Sequence, residues 1–330
     1  MKIKTGLFKI ILVALLFLAG GGLSNAQPGV AQVNGIRIAY HSYGTKNKEV
    51  ILMISGTNAQ LTMWPAPLCD KLVKNGYRVI VFDNRDIGLS TKFDNAGQPD
   101  WAAITKALET KQKPPLPYSL DDMAKDAVAL LDALGIKKAH IVGASMGGMI
   151  AQRVAYYHPE HVLSLTSIMA GGGKAIFPLV AKPDVFSKIP PAGANDDTAT
   201  YLHRELQSMK ILAGDKYPVS DAKATKLIRS NMKRSFHPNG LVRQGAASLA
   251  AFYAGRSAEL GTIKAPSLII HGTEDPLVTI DAAKDVAATI PGARMEVIEG
   301  MGHDIPEPLY DKFAELIVSN AKSAKSAGTD

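Results

Sequence analysis

Residues 138–157 read KAHIVGASMGGMIAQRVAYY, and this stretch decides how the rest of the chain is read. An apolar run, Lys138–Val142, meets Gly143-Ala144-Ser145-Met146-Gly147, and a helix-like stretch, Gly148–Tyr157, follows. A serine in a strand–turn–helix of this kind is pushed to the tip of a sharp turn, where its hydroxyl projects away from the sheet. The small residues on either side let the strand and helix backbones approach closely enough to make that turn. The five-residue pattern is weak on its own. Its place between a strand and a helix marks Ser145 as a nucleophile.

Working outward, apolar runs bounded by turn residues recur along the chain. Val50–Ile54, Tyr77–Phe82, Ala139–Val142, His161–Met169, Ser267–Ile270 and Met295–Ile298 suit strands buried on both faces of a parallel sheet. Gly35–Tyr43 and a short partner near Val30–Val33 precede them. Helical patterns alternate with the strands at Ala66–Lys74, Leu120–Leu134, Met146–Tyr157, Ile280–Ile290 and Glu307–Asn320. Ser119, followed by Asp121 and Asp122, reads as a helix N-cap. The alternation predicts an α/β fold with a mostly parallel, doubly wound sheet. Between residues 171 and 260 the alternation stops. Prolines 178, 183, 190 and 191 lead into helical pieces at Thr198–Ala213, Ala222–Phe236 and Ala246–Ala258, with no strand-like run. This stretch is expected to be a helical cap inserted into a core made of residues 27–170 and 261–321, with 322–330 a frayed tail.

The amino terminus reads as a signal peptide. Lys2, Lys4 and Lys9 precede the apolar run Ile10–Ala19, and Leu23-Ser24-Asn25-Ala26 carries small residues where a signal peptidase reads. Cleavage is expected after Ala26, sending the protein to the periplasm or the extracellular space. The run is about half of the roughly 20 residues that span a bilayer, and no later segment is long enough, so no stable span is expected in the mature chain. Removing residues 1–26 takes away three lysines and no acid, lowering the formal charge from +7 to +4. With no arginine–aromatic stripe, that charge does not indicate nucleic acid. Cys69 stands alone, so an internal disulfide is excluded, and it reads as a small apolar residue on a helix face. The sequence is silent on oligomeric state.

A serine nucleophile needs a base, and the base needs an orienting acid. In a sheet of this type both belong on loops beyond the carboxyl ends of later strands. Asp275, in His271-Gly272-Thr273-Glu274-Asp275-Pro276, and His303, in Glu299-Gly300-Met301-Gly302-His303-Asp304, meet that condition. His303 is the expected general base and acid, and Asp275 the carboxylate that fixes its tautomer. Glu274 is the rival acid. Asp304 is expected to cap the next helix or face water, and His271 to brace the acid loop. Oxyanion stabilisation needs two backbone N–H donors. Met146, at the start of the helix after Ser145, supplies one, and Thr57, in Ser55-Gly56-Thr57-Asn58, is the choice for the other, with Asn58 the alternative. His158-Pro159-Glu160-His161 carries two histidines three apart. Pro159 breaks a common helix face and no third ligand stands out, so no metal site is expected. An apolar and aromatic set in the insertion (Phe177, Leu179, Phe186, Tyr201, Phe252, Tyr253 among them) hints at an apolar group on the substrate, though such residues also pack the cap itself.

With these residues placed, the chain resembles the α/β-hydrolase fold family over residues 30–320. Phe82-Asp83-Asn84-Arg85-Asp86-Ile87-Gly88-Leu89-Ser90 looks like the family's turn after its fourth strand. Ser164–Met169, His271–Pro276 and Gly302-His303 match in order and spacing. Within the family it is most similar to the branch typified by aclacinomycin methylesterase. The loop from Ser55 to Trp64-Pro65, the pair Arg85-Asp86 and the segment Gln244–Arg256 carry that likeness. The resemblance implies a Ser–His–Asp triad, a helical cap, ester hydrolysis as the default chemistry, and no metal or organic cofactor. The expected function is an exported carboxylic ester hydrolase acting on a small-molecule ester. Lactone opening, carbon–carbon hydrolysis, perhydrolysis and non-catalytic binding of a small molecule are the alternatives. One departure stands out: many relatives carry His-Gly where this chain has Ser55-Gly56.

Overall fold

The computed structural model describes residues 26–174, 184–190 and 196–326. Eight strands form one sheet: β1 (Gln27–Val33), β2 (Ile36–Tyr43), β3 (Glu49–Ile54), β4 (Tyr77–Phe82), β5 (Ala139–Ala144), β6 (Val162–Ile168), β7 (Ser267–Gly272) and β8 (Arg294–Ile298). Their spatial order is β1-β2-β4-β3-β5-β6-β7-β8. β1 and β2 pair antiparallel, as do β2 and β4, and every other pairing is parallel. The helices of the first half are α1 (Ala66–Lys74), α2 (Trp101–Glu109), α3 (Leu120–Ala133) and α4 (Met146–Tyr157). Then come α5 (Val185–Lys188), α6 (Thr198–Leu212), α7 (Asp221–Arg234), α8 (Pro238–Ala254) and α9 (Ser257–Leu260), and finally α10 (Ile280–Thr289) and α11 (Tyr310–Ser326).

The central strands show why the apolar runs had to be continuous. Successive side chains on a strand point to opposite faces. Val50, Leu52 and Ile54 of β3 join α3, α4 and α10 in one apolar cluster, while Ile51 and Met53 join α1 and α11 in the other. Ile51, Leu52, Met53 and Ile54 are all fully buried, each contributing about 1.5–3 kcal/mol. α3 opens with a reciprocal capping box, in which Ser119 and Asp122 bond each other's backbone N–H. Cys69 is buried on α1, and burial pushes its thiol up to about 12, which leaves it unreactive. Among the described residues no helix is long and apolar enough to cross a membrane.

Several boundaries differ from the sequence reading. α8 begins at Pro238, eight residues earlier than the pattern suggested, because a proline needs no amide partner in a first turn. It stops at Gly255, whose φ of 59° turns the chain out of the helix. α2 lacked a clear apolar period and was not expected, yet Asp100 caps it through the Ala103 amide. α11 continues to Ser326, into the segment expected to fray, since Asn320 and Ala321 are fully buried and anchor its last turns. Residues 1–25, with the expected signal peptide, lie outside the described residues, as do Phe177, Leu179 and the Phe186 side chain.

Register places the loops that matter. Ile54 of β3 stands level with Gly143 of β5, and Gly272 of β7 with Ile298 of β8. The segments after β3, β5, β7 and β8 therefore emerge together at the carboxyl edge of the sheet. α5–α9 lie between β6 and β7 in the chain, and no strand occurs among the described residues of that stretch.

Candidate active site

Ser145 has φ 56° and ψ −125°, a strained conformation for a residue with a side chain. Its neighbours leave it little choice. A Cβ on Gly143 would meet Gly147 O at 2.0 Å, and one on Gly147 would meet Ile54 O at 2.0 Å. Only glycines let β3, β5 and α4 close together around the turn. Ser145 N donates to Ile168 O at 2.9 Å and Met149 N to Ser145 O at 3.1 Å, which fixes the strained residue from both sides.

The three expected side chains come together. His303 Nε2 lies 2.9 Å from Ser145 Oγ, and His303 Nδ1 lies 2.7 Å from Asp275 Oδ2. Asp275 is buried, and its other oxygen accepts from Leu277 N at 2.9 Å and Val278 N at 2.8 Å. Those bonds hold the carboxylate in one orientation. Glu274 turns away, its Oε2 accepting the Asp215 amide at 2.6 Å. His271 is fully buried, and burial pulls its pKa down. Its Nε2 donates to Val278 O at 2.7 Å, so it supports the acid loop from beneath. Asp304 neither caps a helix nor faces open water. It is half-buried, Oδ1 has no hydrogen-bond partner among the described residues, and burial pushes its carboxyl up to about 6.

The loop after β3 lies against the serine: a Cβ on Gly56 would sit 3.2 Å from Ser145 Cβ. Its amides are unequal. Asn58 N donates to Gln244 Oε1 at 2.9 Å, whereas the Thr57 N–H has no partner among the described residues. Met146 N opens α4, where first-turn amides have no intrahelical acceptor. Among the described residues the donors expected from sequence, Thr57 and Met146, thus have no acceptor, while Asn58 N is occupied by Gln244.

Gln244 was missed by sequence reasoning. It is fully buried on α8, and its Nε2 donates to Arg85 O at 2.9 Å while Oε1 holds Asn58 N. One side chain ties the loop after β4 to the loop after β3. Beside it, Arg243 is 1% exposed and places Nε and Nη2 on the two oxygens of Asp86, at 2.5 and 2.8 Å. Burial raises the Asp86 pKa, but hydrogen bonds from Arg243 and His237 outweigh it and hold the carboxyl well below its usual range. Asp83, also fully buried, accepts Leu61 N and Leu89 N and pairs with Arg234 of α7. Asn84 Nδ2 donates to Ser55 O at 2.9 Å. These partners lie up to 186 residues apart, and no local pattern announces them.

The inserted helices also reach the histidine. His303 N donates to Leu212 O, at the end of α6, at 2.7 Å. A Cβ on Gly302 would meet that same oxygen at 2.2 Å. Of the apolar residues expected over the site, Phe252 packs on the core, Tyr253 is 41% exposed, and Tyr201 OH accepts from Asn58 Nδ2 at 3.2 Å. Trp64 is 2% exposed and belongs to the core.

The sequence of residues 49–307 matches the model of the alpha/beta hydrolase fold family. Rhodomycin D methylesterase from Streptomyces sp. (strain C5) is 29% identical over 300 residues, covering 83% of this chain and 91% of that protein. A 2-hydroxy-6-oxononadienedioate/2-hydroxy-6-oxononatrienedioate hydrolase from Klebsiella pneumoniae is 26% identical, covering 82% and 86%. Among solved structures, the meta-cleavage product hydrolase of Pseudomonas fluorescens IP01 superposes with a TM-score of 0.67 at 22% identity, covering 90% of this chain and 98% of that one. With the family model spanning most of its length and hydrolases among its relatives, the chain belongs to the α/β-hydrolase fold family and is a hydrolase.

Proposed function

We propose that the protein is an exported serine hydrolase that cleaves a carboxylic ester through an acyl-enzyme on Ser145. The observation that carries this reading is His303 bridging Ser145 Oγ at 2.9 Å and Asp275 Oδ2 at 2.7 Å. Asp275 accepts Nδ1–H, which leaves the Nε2 lone pair facing the serine hydroxyl. As Ser145 Oγ attacks the ester carbonyl carbon, Nε2 takes its proton. The carbonyl oxygen, now negative, accepts from the Met146 and Thr57 amides, each donor lowering the barrier by roughly 3–4 kcal/mol. When the C–O bond to the alcohol breaks, Nε2–H protonates the leaving oxygen. Water then attacks the acyl-enzyme and gives its proton to Nε2. Collapse releases the acid and returns the proton to Ser145.

The likeness to a methylesterase supports an ester as substrate. Export rests on Lys2, Lys4, Lys9 and the apolar run before Ala26, and predicts a secreted form beginning at Gln27. The test is a fluorophosphonate probe together with a p-nitrophenyl ester series from acetate to long chains. Wild type should be labelled and turn over esters, and Ser145→Ala should do neither. Equal labelling of both proteins would sink the nucleophile. Labelling without turnover of any ester would move the substrate to a lactone or another bond.

A further inference from the structure

At the far end of α4 from Ser145, three side chains that the proposed reaction does not use are gathered on the surface. His158 ends the helix and Pro159–His161 forms a single 3-10 turn. An α-helical face is indeed broken by Pro159, but in a 3-10 turn residues i and i+3 eclipse, which brings His158 and His161 to one side. Their ring centroids are 6.3 Å apart. Glu160, between them in sequence, is the third ligand that the sequence reading lacked. Its Oε1 lies 3.7 Å from His158 Nδ1 and 3.2 Å from His161 Nδ1.

We propose that His158, Glu160 and His161 form a binding site for one divalent transition-metal ion of the zinc, nickel or copper class. One ligand atom from each of the three lies within 4.8 Å of the other two. Donors around a tetrahedral ion with bonds of about 2.0–2.1 Å stand about 3.3–3.5 Å apart, so small side-chain rotations close the site. Two imidazoles with one carboxylate suit zinc, nickel or copper rather than magnesium or calcium. Glu160 is 62% exposed, so water has access to complete the coordination.

A second contact points the same way. His161 Nε2 lies 3.1 Å from Asp132 Oδ1, just inside the end of α3. With Nε2–H donated to Asp132, Nδ1 presents its lone pair towards Glu160 Oε1, 3.2 Å away, as a ligand nitrogen must. A carboxylate on the outer nitrogen is the arrangement that orients metal-bound histidines and fixes their tautomer. The bound ion would tie the end of α4 to α3 and to the start of β6.

The test is calorimetric titration of the untagged protein with ZnCl2, repeated with Ni2+ and Cu2+. One equivalent should bind, with affinity rising from Ni2+ to Cu2+. Affinity should fall in acid, because protons compete with the metal for the imidazole nitrogens. Zn2+ should raise the melting temperature of wild type but not of the double variant His158→Ala/His161→Ala. Asp132→Asn should weaken binding about 10-fold or more, and ester turnover should stay unchanged in all these variants. No uptake by wild type would overturn the site. Equal uptake by the double variant would do the same by placing the ion elsewhere. Wild-type affinity in Asp132→Asn would overturn the orienting role of Asp132.

Discussion

Ser145 and Asp275 sit on backbone that the sheet shapes directly, whereas the loop of residues 55–60 lies between the sheet and the inserted helices and takes bonds from both. The serine turn is held by Gly143, Gly147, Ile54 O and Ile168 O, all on or beside β3, β5 and β6. Asp275 is held by its own loop, through Leu277 N and Val278 N. The loop after β3 owes Asn58 N to Gln244, Thr57 Oγ1 to Ser248 at 3.3 Å, and the Asn58 side chain to Tyr201, all three on α6 or α8. His303 belongs to both regions, because its ring bonds the sheet-borne pair and its amide bonds Leu212. The half of the site around Ser145 is thus built locally, while the loop proposed to help hold an oxyanion depends on how the helices between β6 and β7 dock.

The most severe way to break the local half is Gly147→Ala. A methyl group 2.0 Å from Ile54 O forces β3 and α4 apart, so ester turnover should be lost and the melting temperature should drop by several degrees. Full activity would mean that the turn has slack the geometry does not show. Asp275→Asn leaves the packing intact but supplies an amide to His303 Nδ1. It should lower kcat by about 10³–10⁴-fold with little change in melting temperature. A drop of less than 10-fold would hand the orienting role to another carboxylate, with Glu274 the nearest in sequence.

The insertion-dependent half is tested by Gln244→Leu. It strands Arg85 O and Asn58 N, each costing about 1–3 kcal/mol, and frees the Asn58 amide to compete with Thr57. The expected result is a fall in kcat of about 10–100-fold with KM changed much less, and Gln244→Glu should recover part of it by restoring the acceptor. Unchanged kcat in the leucine variant would erase the distinction between the two halves.

The smallest expected effect lies at the seam. Asp304 has a folded-state pKa near 6, above the roughly 3.9 of an unfolded aspartate. Below about pH 3.9 it is neutral in both states and contributes nothing. Between about pH 3.9 and 6 the unfolded state ionises while the native state keeps the proton, so stability declines through that window. Asp304→Asn should therefore raise the melting temperature at pH 7.5 by a few degrees and much less at pH 4.5. An equal rise at both pH values would show that the gain comes from packing and not from the carboxylate.

What could be read from sequence divides along the same line. Ser145, Asp275 and His303 were legible because each follows a strand with a strong apolar run, and a parallel sheet delivers such positions to one edge. Met146 was legible as the residue after the serine. Gln244 carried no such signal. It lies on an alanine-rich helix whose start the apolar pattern missed, and its partners are Arg85 and Asn58, 159 and 186 residues away. The His158–Glu160–His161 cluster was set aside for the opposite reason. The pattern was visible, but the choice between an α-helical and a 3-10 turn around Pro159 was not.

The alternation of apolar runs with helical periods determined the mostly parallel sheet, and the glycines around Ser145 determined the sharp turn. Both follow from short-range sterics and from burial on two faces, and both are carried by residues close together in the chain. Only the tertiary structure decided that Asn58 N–H is bound while Thr57 N–H has no partner among the described residues, and that Glu274 serves the Asp215 amide. It also placed Asp132 on the outer nitrogen of His161. Each of those outcomes is a competition among hydrogen-bonding groups for one partner, settled by which segments the packing of the apolar core brings within hydrogen-bonding distance.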